Sequence, residues 1–257
     1  MRQYEAIEKV VTSLKEESCV QSIFLKGSIG RNEHDQHSDI DLYCLVDEEE
    51  EKSFLSRRLH HLEAYKKVIF WGEAYIIAPQ IIAVYEDMLP IDLFTVTKRT
   101  LQEKDYFQVL YDPNEVMKQY EATQHLMLPE EEFHECVWDM AWFLFRYHKA
   151  VERGNNDILA IEMLRHVMRN LTSIMLYRYA KNRSILGLKA IPDLLSPTQH
   201  NNVKAIYECI TPSLHQEAVN QISLLIRGEM AWIRSQIYND AQTISFLERM
   251  IKVATNN

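Results

Sequence analysis

The 257-residue sequence predicts an α+β domain, a mixed sheet flanked by helices, followed by a C-terminal α-helical bundle. Three observations carry this prediction. Short apolar runs of strand character alternate with turn signals up to about residue 125. Beyond that point, long stretches with apolar residues at helical spacing take over. No internal repeat or low-complexity linker interrupts the change of texture, so the domains are expected at 1–125 and 126–257.

Each element has a local reason. Residues 3–17 place Tyr4, Ile7, Val10, Val11 and Leu14 on one face of an amphipathic helix. Residues 20–26 and 39–46 read as strands around the turn-rich "GSIGRNEHDQHS". The acidic "DEEEEK" opens a helix running to about Tyr65, since acids suit the positive end of a helix. "KVIFWG", "AYIIAPQIIAVY" and "LPIDLFTV" read as three further strands, with "EDMLP" as a hairpin turn and "YFQVLYDP" as a short extended exit. Helices follow at 130–153 and 156–183, separated by "RGNND", where Asn156 or Asp157 caps the second. "ILGLKAIPDLLSP" breaks the pattern before helices near 197–210, 213–238 and 240–254.

Charge narrows the function classes. The net charge of −9 arises within residues 1–125, which hold 23 acidic against 14 basic residues, while the remainder balances. A nucleic-acid binder needs the opposite sign, so none is expected as partner; metal cations or cationic small molecules suit the acidic half. No apolar run reaches the roughly 18 residues of a membrane span, and the charged N-terminus lacks a signal-peptide core. Cys19, Cys44, Cys136 and Cys209 are scattered without a CxxC pair, which fits a reducing cytoplasm and neither a disulfide framework nor a zinc ribbon.

The chemistry concentrates in "FLKGSIGRNEHDQHSDIDLYCLV". Residues i and i+2 of a strand share a face, so Asp39 and Asp41 project together while Ile40 and Leu42 turn to the core. Two carboxylates roughly 6–7 Å apart at the backbone repel unless a cation bridges them, and Mg²⁺, a hard ion, fits oxygen donors. Asp92, embedded in the apolar "LPIDLFTV", completes the cluster if its strand lies next to the first. Three such acids can hold two metals about 3.5–4 Å apart for in-line phosphoryl displacement. Gly27 lets the backbone approach a ligand, Ser28 and the following N–H groups suit phosphate oxygens, and Arg31 offers a fixed charge to a polyphosphate.

"KGSIGRNEHDQHSDIDLYCLV" resembles the signature of the DNA polymerase β-like nucleotidyltransferase superfamily: strand, Gly-Ser, short helix, then Asp-h-Asp on the next strand. Within it the chain resembles the small antibiotic nucleotidyltransferases of lincosamide and aminoglycoside type, and "VERGNNDILAIEMLRHVMRNLTSIMLYR" and "ISFLERMIKV" are similar to that group's helical domain. The resemblance implies that residues 1–125 are a nucleotidyltransferase domain. It implies Gly27 and Ser28 at the nucleotide's phosphates, Asp39 and Asp41 on Mg²⁺, and Asp92 as third metal ligand or general base. The implied reaction moves a nucleoside monophosphate, AMP from ATP first among the candidates, to a hydroxyl of a small, cationic molecule and releases pyrophosphate. A homodimer is implied by analogy. The lincosamide members carry Glu where Asp41 and Asp92 stand here, so substrate identity does not transfer. Two alternatives are a protein acceptor, as in antitoxin-type members, and a non-catalytic nucleotide-binding scaffold.

A base must also draw the proton from the attacking hydroxyl. Besides Asp92, the candidates are Glu131, Glu135 and Asp139, which share one side of the first bundle helix; Glu135 is carried forward as a catalytic residue, although acids also favour a helix N-terminus. Other features read as structural. His134-Glu135 does not extend to HExxH, His60-His61 suits a solvated helix face, and Met163, Met168 and Met175 suit a core. Lys98 and Arg99 suit the surface, and Trp138, Trp142, Phe145 and Tyr147 suit packing.

Overall fold

The structure, a computed structural model, describes residues 1–101, 105–154 and 157–254. The chain divides into two compact units, Met1–His125 and Leu126–Asn257. The cap expected at Asn156 lies outside the described residues.

In the first unit, α1 (Arg2–Leu14) buries Ala6, Ile7, Val10, Val11 and Leu14, the i, i+3, i+4 set of its sequence. Tyr4 departs from that set: it is exposed, and its hydroxyl meets His34 Nε2 at 3.0 Å. Six strands follow: β1 (Val20–Leu25), β2 (Ile40–Val46), β3 (Val68–Tyr75), β4 (Pro79–Tyr85), β5 (Pro90–Val96) and β6 (Gln108–Tyr111). They form one sheet in the order β3-β4-β5-β2-β1-β6. The β2–β5 pair is parallel and the others are antiparallel.

Two faces result from the strand period. Ile23, Leu25, Ile40, Leu42, Ile91 and Leu93 point to the face covered by α1, Phe54 and Leu62, and form one core. Phe24, Tyr43, Leu45, Phe94 and Val96 point to the other, with Ala78 and Met117.

Three sequence expectations change here. The strand "AYIIAPQIIAVY" is two pieces: Ala74 and Tyr75 finish β3, and Pro79 opens β4, a position where its missing N–H is tolerated. The helix expected through Tyr65 is two short ones, α3 (Glu51–Leu55) and α4 (Arg58–Leu62). Side chains capture the carbonyls between them. Ser56 Oγ and Arg57 Nη1 donate to the Ser53 carbonyl at 2.8 and 2.9 Å, and Arg58 Nε donates to that of Leu55 at 3.1 Å. His61 is buried rather than solvated, held by Ser13 Oγ at 2.9 Å and Glu17 Oε1 at 3.0 Å; His60 is exposed as expected.

The second unit holds α5 (Glu130–Glu152), α6 (Asp157–Tyr179), α7 (Ile191–Leu194), α8 (Pro197–Cys209), α9 (His215–Gln236) and α10 (Ala241–Ala254). Residues 181–190 form 3₁₀ turns where the sequence pattern breaks, with Gly187 at φ 65°. Ser196 starts α8 through a reciprocal capping box with Gln199, and Asp240 caps α10 by accepting from the Thr243 N–H at 2.9 Å. Met163, Met168 and Met175 lie in the continuous core of these helices. Glu229 is buried there, accepting from Arg178 Nη1 at 2.8 Å and the Tyr179 hydroxyl at 2.9 Å. Among the described residues no helix is long and apolar enough to cross a membrane, and all four cysteines are free thiols.

Arg58 supplies a stability test. Its side chain is 2% exposed, and Nη2 reaches Glu73 Oε1 at 2.7 Å, while Nη1 has no hydrogen-bond partner among the described residues. A buried charge with one exposed partner contributes little net stability, but stranding it is unfavourable. Arg58→Met is expected to leave unfolding stability within about 1 kcal/mol of wild type, and Glu73→Ala to lower it by about 1–2 kcal/mol. Urea unfolding of both variants checks the asymmetry.

Candidate active site

The polar turn after β1 is built on close backbone approach. Lys26 continues the ladder beyond Leu25, its N–H donating to the Asp41 carbonyl at 3.0 Å. Gly27 then takes φ +64° and begins a single helical turn, α2 (Gly27–Gly30). A Cβ at position 27 would fall 1.8 Å from Asp41 Oδ2, and one at Gly30 would fall 2.6 Å from the Leu25 carbonyl oxygen. Both glycines are therefore steric requirements, and the first one sets how near the turn lies to a carboxylate. Ser28 is half-buried on this turn, and its carbonyl accepts from the Glu33 N–H at 2.8 Å.

The parallel ladder places the acids. Asp41 of β2 stands directly opposite Asp92 of β5, with Leu42 opposite Leu93 and Tyr43 opposite Phe94. On the far side Asp92 faces Ile82 of β4, which faces Gly72 of β3. One row across the sheet therefore reads Lys26, Asp41, Asp92, Ile82, Gly72. The next row on the same face is aromatic: Phe24 stacks on Tyr43 at 5.3 Å, and Tyr43 on Phe94 at 4.4 Å between ring centroids. The carboxylates thus border an apolar floor.

That setting raises the Asp92 carboxyl from 3.8 to about 6, chiefly by burial, then by the negative charges of Asp41 and Asp39; a hydrogen bond from Gln80 opposes the rise. Asp39 precedes β2 and is exposed, so its direction is not set by the ladder, although its charge reaches Asp92. Among the described residues, no three His, Cys, Asp or Glu side chains come together as a metal cage. What the backbone holds in place is the Asp41–Asp92 pair. Its oxygen donors and mutual repulsion suit a hard divalent cation, and Asp39 is the acid nearest in sequence to add a third donor.

The remaining expected residues are placed differently. Arg31 directs Nε to Glu33 Oε2 at 3.0 Å and Nη1 to both oxygens of Asp105 at 2.8 and 2.7 Å, so these donors serve carboxylates rather than phosphate. Glu131 and Glu135 are exposed and Asp139 is half-buried on α5, in the second unit. Cavities of about 390 and 330 Å³ also lie in that unit, and none of the expected catalytic residues lines them.

Three site neighbours escaped the sequence reading: Lys26, Gln80 and Asp105. Strand period puts Lys26 on the face of Phe24, and the antiparallel register of β1 with β2 makes that the face of Asp41. Gln80 and Asp105 carry no local signal, since each acts through a partner distant in sequence.

The family described as "Nucleotidyltransferase domain" matches residues 7–136, half of the chain. No curated protein matches. Among solved structures the chain is similar to an aminoglycoside 6-adenyltransferase from Bacillus subtilis, at 14% identity over 98% of this chain and 97% of that one, with a TM-score of 0.41. It is also similar to a nucleotidyltransferase-like protein from Exiguobacterium sibiricum 255-15, at 12% identity over 93% and 78%, with a TM-score of 0.42. A third is the Bradyrhizobium diazoefficiens CD-NTase CdnG in complex with GTP, at 11% identity over 99% and 92%, with a TM-score of 0.29.

Two variants test the geometry. Gly27→Ala must move either the turn or Asp41, and the left-handed backbone alone disfavours a Cβ by about 1–2 kcal/mol. Loss of at least that much stability, measured by urea unfolding, is expected. Asp92 holds its proton to about pH 6 when folded, whereas an unfolded aspartate releases it near 3.8. The native state therefore binds more protons in that window, and the contribution to stability falls as pH rises through it. Asp92→Asn is expected to stabilise the metal-free protein above pH 6, by at most about 3 kcal/mol, with the gain shrinking toward pH 4. Thermal melts at both pH values read this directly.

Proposed function

The chain belongs to the nucleotidyltransferase domain family and is a nucleotidyltransferase; from that premise we propose that it transfers AMP from ATP to a hydroxyl of a small cationic molecule, such as an aminoglycoside or lincosamide, releasing pyrophosphate. The observation that carries this reading is the in-register pairing of Asp41 with Asp92 beside a turn whose Gly27 leaves no room for a side chain. The preference for a cationic acceptor follows from the acidic balance of residues 1–125.

In this reading Asp41 and Asp92, with Asp39, hold one or two Mg²⁺ ions. When bound, the metal offsets triphosphate charge and aligns the α-phosphate for in-line attack. Gly27 and Ser28 bring N–H groups and a hydroxyl to the phosphate oxygens. Asp92 is the first candidate to take the acceptor's proton, through a carboxylate oxygen not engaged by the metal; its raised pKa belongs to the metal-free site, because a bound cation lowers it. Glu135 is the second candidate for that task. The acceptor oxygen bonds to the α-phosphorus as the bond to the bridging oxygen breaks, and the electron pair of that bond leaves with pyrophosphate.

The test is pyrophosphate release by the whole chain with Mg²⁺, each nucleoside triphosphate and a panel of aminoglycosides and lincosamides, with mass spectrometry of the products. One nucleotidylated small molecule is expected. Asp41→Asn should lower the rate by at least about 10³-fold at unchanged fold. Between the bases, Asp92→Asn is expected to abolish turnover and Glu135→Gln to leave most of it. Nucleotide appearing only on proteins overturns the small-molecule acceptor, and an unchanged Asp41→Asn rate overturns the site.

A further inference from the structure

We infer that Lys26 is a further functional residue of this site, its ammonium neutralising the charge that gathers on the departing pyrophosphate. The inference rests on the nucleotidyl-transfer reading above and deepens it, because the expected phosphate cation was Arg31.

Four observations place Lys26 there. Its backbone pairs with Asp41, so it occupies the β1 position of the row that holds Asp41 and Asp92. It immediately precedes Gly27 and Ser28, the turn assigned to the phosphates. It is only 5% exposed, with Nζ 5.2 Å from the centroid of Tyr43, one row from the carboxylates. Arg31, the other cation of the turn, has Nε and Nη1 on Glu33 and Asp105.

The energetics favour function over packing. Removing an ammonium from water is unfavourable even where it is partnered, and a methionine of similar length would fill the same space without that cost. The burial is large enough to lower the Lys26 ammonium to about 8, with the charge of Asp105 acting in the opposite direction. A cation is nevertheless what the reaction needs here. A triphosphate approaching Asp39, Asp41 and Asp92 meets like charge, and negative charge then grows on the leaving group as its bond to the α-phosphorus breaks. Lys26 moves no proton in this scheme. It acts as a fixed positive charge beside the turn.

The experiment uses the whole chain and three readouts: steady-state pyrophosphate release, calorimetric binding of Mg²⁺-pyrophosphate, and thermal melting. Lys26→Met is expected to lower kcat about 100-fold and to weaken pyrophosphate binding about tenfold. The acceptor KM should stay within about twofold, and the melt should remain a single cooperative transition, which shows that the variant is folded. Lys26→Ala should be partly rescued by added ethylammonium, saturably, and not by neutral propanol. Wild-type kcat and pyrophosphate affinity in Lys26→Met would overturn the inference, as would rescue by propanol equal to that by ethylammonium. Should one variant fail to fold, the other decides. If the wild type turns over no substrate, the proposed reaction fails, and pyrophosphate affinity still judges Lys26 separately.

Discussion

The pairing of β2 with β5, parallel and in register, forces two carboxylates side by side in a half-buried setting. Left alone that juxtaposition is unfavourable, because each negative charge raises the free energy of the other and the floor beside them is aromatic. Much of the surrounding structure can be understood as accommodation of this pair. Gly27 lacks the atom that would collide with Asp41. Gln80, reached from the neighbouring strand, donates to Asp92. Lys26 fixes the turn to β2 through its N–H, which donates to the Asp41 carbonyl. A protein that needed only a stable sheet would place valines at 41 and 92.

The opposite face of the sheet has no such conflict. There Ile40, Leu42, Ile91 and Leu93 alternate with the acids and pack under α1. The strand period therefore separates an apolar face from a mixed one within the same seven residues: even positions of β2 build one core, and odd positions carry Asp41 next to Tyr43 and Leu45 of the other. Burial on one face gives the register the specificity that the acids on the other face depend on, since a slip by one residue would turn Asp41 into the core.

The second unit follows a different economy. Its core is a continuous run of aliphatic, methionine and aromatic side chains across the six helices α5–α10. Glu229 is buried there, and its carboxylate is satisfied by both Arg178 and Tyr179, the pattern required of a buried charge. Helix starts at Ser196 and Asp240 are held by side-chain caps.

Much of the fold and part of the site was legible from sequence alone. Periodicity placed nearly every helix and strand, and the glycine turn, the Asp-x-Asp strand and the lone Asp92 stood out because each is a short-range pattern. The errors were also local. The Pro79 strand start was absorbed into a longer strand, and serine and arginine side chains broke a helix that acidic composition had predicted whole.

What lay beyond the sequence was which residues meet. Asp41 and Asp92 are 51 positions apart, and their contact depends on the β3–β4 hairpin being folded away between them. Arg31 had the composition of a phosphate ligand, yet it is claimed by Asp105, 74 positions on. Asp39, read as an equal partner of Asp41, immediately precedes the strand, and its charge reaches Asp92. The physical reason is the same in each case: strand period and turn chemistry are set by neighbours along the chain, whereas the protonation and pairing of a charge are set by whatever the fold brings within a few ångströms of it.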